Sequence, residues 1–148
     1  MKRFFPLFLF MTSLLFLTGC NTDNLKSDAK EWNNNLEKAQ AIEVIPLEES
    51  DDPKTITANQ EIKDFIESLQ IDTWKTSSIP SDANKNKEFK MYQENTVKLG
   101  ESLEDERELK EIAVITVYDD VSYIDLSMKN ISLSFEIPKD VTESLIEF

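Results

Sequence analysis

Apolar and polar residues alternate without a break from Ile131 to Ile137, as Ile-Ser-Leu-Ser-Phe-Glu-Ile. That two-residue period marks a half-buried strand. A slip of one position would move four large apolar side chains into water, so its register is firmly set. Immediately upstream, Ser122–Met128 puts Ile124, Leu126 and Met128 on one face, and Lys129-Asn130 supplies the turn between the two. Ile112–Tyr118 is apolar on both parities, as expected of a central strand, and Asp119-Asp120 turns the chain after it. Glu88–Gln93 alternates, and the alternation extends through Thr96–Leu99. Ile42–Leu47 reads as a first strand with Pro46 at an edge or an end. Trp74–Ile79 reads as another, stopped by Pro80. Between them lie an acidic loop from Glu48 to Lys54, a polar loop from Ser81 to Lys87, and an acidic loop or short exposed helix from Glu101 to Lys110.

The period changes to that of a helix in one place. Ile62, Phe65, Ile66 and Leu69 fall at i, i+3, i+4 and i+7, with Glu61, Asp64, Glu67 and Ser68 on the other side. Thr57 and Gln60 have the spacing of a capping box at its start. A single apolar stripe requires a flat apolar partner, which the strands provide. Pro138 then opens a closing helix, with Asp140 near its cap and Val141 and Leu145 facing inward. Short turns join strands antiparallel, because a parallel pair needs a long crossover. The pattern therefore predicts an α+β fold: a single antiparallel sheet, one amphipathic helix (about 58–70) packed on a face, and a short C-terminal helix. Residues 41–148 form one compact domain of ordinary size.

The first forty residues follow a different logic. Lys2 and Arg3 precede Phe4–Leu17, which is apolar except at Pro6, Thr12 and Ser13, and small Gly19 stands before Cys20. A charged start, an apolar run and a small-residue cleavage point are the layout of an export signal. The run is too short for a stable transmembrane helix, which needs about 20 apolar residues. Leu17-Thr18-Gly19-Cys20 resembles the lipobox of bacterial lipoproteins, in which Leu, a variable residue, Gly or Ala, and Cys occupy successive positions. The resemblance implies removal of residues 1–19, lipid on Cys20, and a chain held on the extracytoplasmic face of the cell membrane. Cys20 is the one cysteine. Lipidation accounts for it and leaves no thiol for a disulfide. Residues 20–40 then read as the lipidated Cys followed by a polar, Asn-rich tether. Asp28 and Glu31 have capping spacing, and Trp32, Leu36 and Ala39 trace a thin stripe, so a marginal helix fits Ala29–Ala39.

Composition narrows the function mainly by exclusion. From Cys20 onward there are 14 Lys and Arg against 29 Asp and Glu, a formal charge of −15. Such a surface repels phosphate backbones, so nucleic acid is not an expected partner. With no histidine there is no Ser-His-Asp triad, no His base and no His-liganded zinc. With glycine only at 19 and 100, no phosphate-cradling loop can be written. The paired carboxylates Glu48-Glu49, Asp51-Asp52, Glu104-Asp105-Glu106 and Asp119-Asp120 fall in loops and read as solvated surface, without the spacing of a calcium loop. No catalytic residue, cofactor or metal ligand is assigned.

The aromatics Trp74, Phe89, Tyr92, Tyr118, Tyr123 and Phe135 fit strand packing, with a stacking platform for sugars or peptidoglycan fragments as the sharper alternative. Tyr118 and Tyr123 flank Asp119-Asp120 as an exposed aromatic–acidic group. Through Ile42–Leu47, Glu88–Gln93 and Ile131–Pro138 the domain resembles small α+β lipoproteins of unassigned function from low-GC Gram-positive bacteria. That resemblance implies no activity. The expected function is a non-catalytic module that binds or regulates a protein or envelope component. A small-ligand or cation-binding module using the helix–sheet cleft or the acidic loops is the alternative. A flat exposed apolar patch would mark the first, and a concave apolar pocket with converging polar groups the second.

Overall fold

The computed structural model describes residues 22–47, 52–94 and 109–148. Within them lie helix α1 (Thr22–Leu36), strands β1 (Ala41–Pro46) and β2 (Lys54–Ile56), helix α2 (Asn59–Ser68), and a 3-10 turn over Ile71–Thr73. Strands β3 (Lys75–Thr76), β4 (Lys85–Glu94), β5 (Leu109–Tyr118), β6 (Tyr123–Met128) and β7 (Ile131–Glu136) follow, and helix α3 (Lys139–Glu147) closes the chain. The strands form one antiparallel sheet in the order β2-β1-β4-β5-β6-β7-β3. The fold is α+β, with β5 at its centre.

Register explains why only one face is covered. Val44, Phe89, Ile115, Leu126 and Leu133 stand abreast across five strands, and Val117, Ile124 and Phe135 form a parallel row. These side chains make the floor of the core, and all three helices pack on it. Phe65 of α2 meets Phe89, with ring centroids 4.9 Å apart; Phe148, at the end of α3, meets both rings at 5.3 and 6.2 Å. Trp32 of α1 lies edge-on to Phe135 at 5.1 Å. The expected α2 stripe of Ile62, Phe65, Ile66 and Leu69 is buried, as are Val141 and Leu145.

Several boundaries differ from the sequence reading. Lys54, placed there in a loop, begins β2, a short edge strand paired to β1 with Thr55 opposite Glu43. Thr57 does not cap α2. The N-cap is Ala58 without a side-chain bond, and Gln60 donates to Asp64 Oδ1 at 2.7 Å. The strand expected over Trp74–Ile79 is pared to Lys75–Thr76, because Trp74 ends the 3-10 turn. Ile131 does not share the burial of Phe135 and Ile137 or the partial burial of Leu133, and is 63% exposed.

The largest correction concerns the polar tether. The helix sketched over Ala29–Ala39 runs Thr22–Leu36 instead, and Leu36 and Ala39 are buried core residues. The folded body thus begins well before residue 41. Tertiary packing of Ala29, Trp32 and Leu36 outweighs the weak intrinsic helicity of Asn33-Asn34-Asn35.

Candidate functional site: two clefts along α1

Helix α1 lies over the β5–β7 half of the sheet and leaves a cleft on each flank. Trp32 forms part of both walls. On the α2 side the cleft encloses about 560 Å³. Its floor is aromatic: Phe135 sits between Trp32 and Trp74, with centroids 5.1 and 5.3 Å away. Trp74 is held by its indole N–H, which donates to the Leu69 carbonyl at 2.7 Å. Asn33, Gln70 and Asp72 edge this cleft. Gln70 adopts a left-handed conformation (φ 47°) to turn the chain out of α2, a geometry that costs a residue with a Cβ about 1–2 kcal/mol.

The second cleft, about 610 Å³, opens between α1 and the ends of β5–β7. Ile112, Leu126, Met128, Ile131 and Leu133 join Trp32 in an aliphatic lining, and Lys38, Lys110 and Lys129 stand among the rim residues. These side chains converge because of local irregularities. A bulge between Met91 and Tyr92 shifts the β4–β5 register and leaves Ile112 packed against the core. Lys129 takes φ 54° in the tight turn between β6 and β7.

The uncovered face of the sheet carries polar pairs. Tyr118 donates its hydroxyl to Asp125 Oδ2 at 2.6 Å, and Ser134 donates to Oδ1 at 2.5 Å. Tyr92 donates to Glu43 Oε2 at 3.0 Å. Burial first, and then the accepting carboxylate, push the Tyr92 hydroxyl up to about 12 and the Tyr118 hydroxyl higher still. Both stay protonated at neutral pH, as donors that lock neighbouring strands together and not as proton acceptors.

The residues singled out in the sequence are dispersed. Cys20 and the carboxylates Glu48, Glu49, Asp51, Glu104, Asp105 and Glu106 lie outside the described residues, whereas Asp52 is exposed. Asp119 accepts from Asn86 Nδ2 at 2.7 Å. The exposed Tyr118–Tyr123 group does not form, because Tyr118 is only 6% exposed and committed to Asp125. Trp74 and Phe135 do come together, and their missing partner is Trp32, whose stripe with Leu36 and Ala39 was the one signal pointing to it. Among the described residues no group of three or more His, Cys, Asp or Glu is placed to hold a metal, and no helix is long and apolar enough to cross a membrane.

No protein-family model and no curated protein matches the chain. Among solved structures it is similar to a thioesterase-like protein from Clostridium sporogenes ATCC 15579, at 18% identity and a TM-score of 0.39, over 74% of this chain and 92% of that one. A likeness at that level assigns no activity.

Proposed function

We propose that the chain is a bacterial lipoprotein, held on the extracytoplasmic face of the cell membrane by lipid on Cys20, and that its folded body is a non-catalytic module binding a small envelope ligand beside α1. The observation that carries the binding reading is concavity. Two clefts of ligand-sized volume, apolar inside and polar at the edge, share the wall residue Trp32. A protein-docking patch has less support. Among the described residues the large exposed apolar side chains, Leu47, Leu109, Ile131 and Phe148, sit at the ends of four different elements. The non-catalytic reading rests on the lack of any histidine or available thiol.

Anchoring and binding are tested separately. Cys20→Ala should abolish incorporation of labelled fatty acid and release the chain from the membrane. A wild-type chain that takes up no label contradicts the lipoprotein reading. For the site, the chain purified from its own membranes should carry a non-covalent small molecule, seen by native mass spectrometry and lost on denaturation. Trp32→Ala, which removes a wall of both clefts, should reduce its occupancy at least tenfold. A wild-type preparation free of any such molecule, or equal occupancy in the variant, contradicts the binding reading.

A further inference from the structure

We propose that the cleft between α1 and the ends of β5–β7 holds the alkyl chain of a single-chain anionic amphiphile, with Lys110 and Lys129 at its head group. The assignment rests on the reading that the clefts beside α1 bind ligand, and it names the ligand class for one of them.

The lining gives the tail. Ile112, Leu126, Met128, Ile131, Leu133 and Trp32 make a continuous aliphatic and aromatic surface. Ile131, at 63% exposure, is the most open large apolar side chain among the described residues. A flexible alkyl chain covers such a surface without needing hydrogen-bond partners inside it.

The rim gives the head group. Val114 pairs with Ser127 in the last step of the β5–β6 ladder, and beyond that end Lys110, near the start of β5, and Lys129, in the turn after β6, both line the cleft. Lys38 already donates to Asn35 Oδ1 at 3.0 Å. Neither the Lys110 nor the Lys129 side chain has a hydrogen bond or ion pair among the described residues. Three carboxylates share the rim: Glu94 has a partner of its own, Glu111 lies opposite Tyr92 across the strands, and Glu31 stands on α1, the opposite wall. Two lysines without an ion pair among the described residues, at the rim of an apolar groove, fit the head group of an anion with a hydrophobic tail.

Position supplies an independent argument. Helix α1 begins two residues after Cys20, and Trp32 lies about 15 Å along it from Thr22 at 1.5 Å per residue. With lipid on Cys20, the cleft stands close to the leaflet from which such amphiphiles come.

The test uses the chain from residue 20 onward with Cys20→Ser, which keeps every described residue. Titration calorimetry is run below the micelle threshold with dodecanoate, dodecyl phosphate, decanoate and dodecyltrimethylammonium. Both twelve-carbon anions should bind. Decanoate, two CH₂ shorter, should bind about fifteenfold more weakly than dodecanoate, since each buried CH₂ tightens binding about fourfold. The cation should bind at least tenfold more weakly, although the chain's net charge favours it. Lys110→Gln with Lys129→Gln should erase the preference for anions. Ile131→Asp, at an exposed position that leaves the fold intact, should weaken dodecanoate at least tenfold. Equal binding of cation and anions, an undiminished preference in the double variant, or no anion binding at all overturns the assignment. If no anion binds while the membrane-purified chain still carries a releasable small molecule, the assignment falls and the binding reading stands. If that preparation is empty as well, both fall.

Discussion

Tyr118 shows how one residue's environment becomes a measurable property. Its place at the end of β5 turns the ring onto the uncovered face, where Asp125 accepts its hydroxyl across one strand and Ser134 holds the same carboxylate from the next. Burial and that bond raise its pKa, and Tyr92 beside Glu43 is raised to about 12. An unfolded tyrosine titrates near pH 10. Between pH 10 and 12 the unfolded chain therefore gives up protons that the folded chain keeps, and stability falls as pH rises. The contribution is intact below about pH 10 and is lost as pH climbs through 12. Denaturation midpoints at pH 9 and pH 11 should separate more for the wild type than for Tyr118→Phe. Equal separation would show that the hydroxyl is not held as described. Local sequence conveys that Tyr118 lies in a strand. It does not convey Asp125, because that contact depends on the β5–β6 register and on a side chain seven residues away.

Elements were legible where periodicity was strong and obscure where packing decided. The alternation in β6 and β7, the two-sided apolar run of β5 and the α2 stripe all correspond to observed structure, because each pattern buries enough surface to fix its element. Capping signals were weaker guides. Thr57 has the right spacing but not the position, so Thr57→Ala should change stability by no more than a few tenths of a kcal/mol, whereas a working cap is worth about 1. A loss near 1 kcal/mol on urea denaturation would restore the capping box. Helix α1 shows the opposite failure. Its Asn-rich sequence promises little helix, yet Leu36 is fully buried and Trp32 rests on Phe135. Leu36→Ala should cost about 2–5 kcal/mol, as for other buried leucines, where a residue in a free tether would cost nothing measurable. The clefts were illegible for the same reason, since each needs α1 as a wall.

For the molecule as a whole, docking of α1 would tie the proposed membrane anchor to the proposed binding surface. A flexible tether of twenty residues would let the body wander about 25 Å from its anchor. A helix packed into the core instead starts the fold two residues after the proposed anchor site at Cys20. The formal charge of −15 beyond Cys20 keeps such a body from lying flat on anionic head groups. Fold, clefts and ligand class all depend on α1 being part of the folded body. Hydrogen exchange on the membrane-bound mature chain tests this most directly, through the amides of Asn33–Glu37, the last of which donates to the Asn33 carbonyl at 2.9 Å. The account predicts protection that approaches that of β5 and is lost only with global unfolding. Exchange of these amides at the rate of a free chain, with β5 still protected, would remove a wall from both clefts and contradict it.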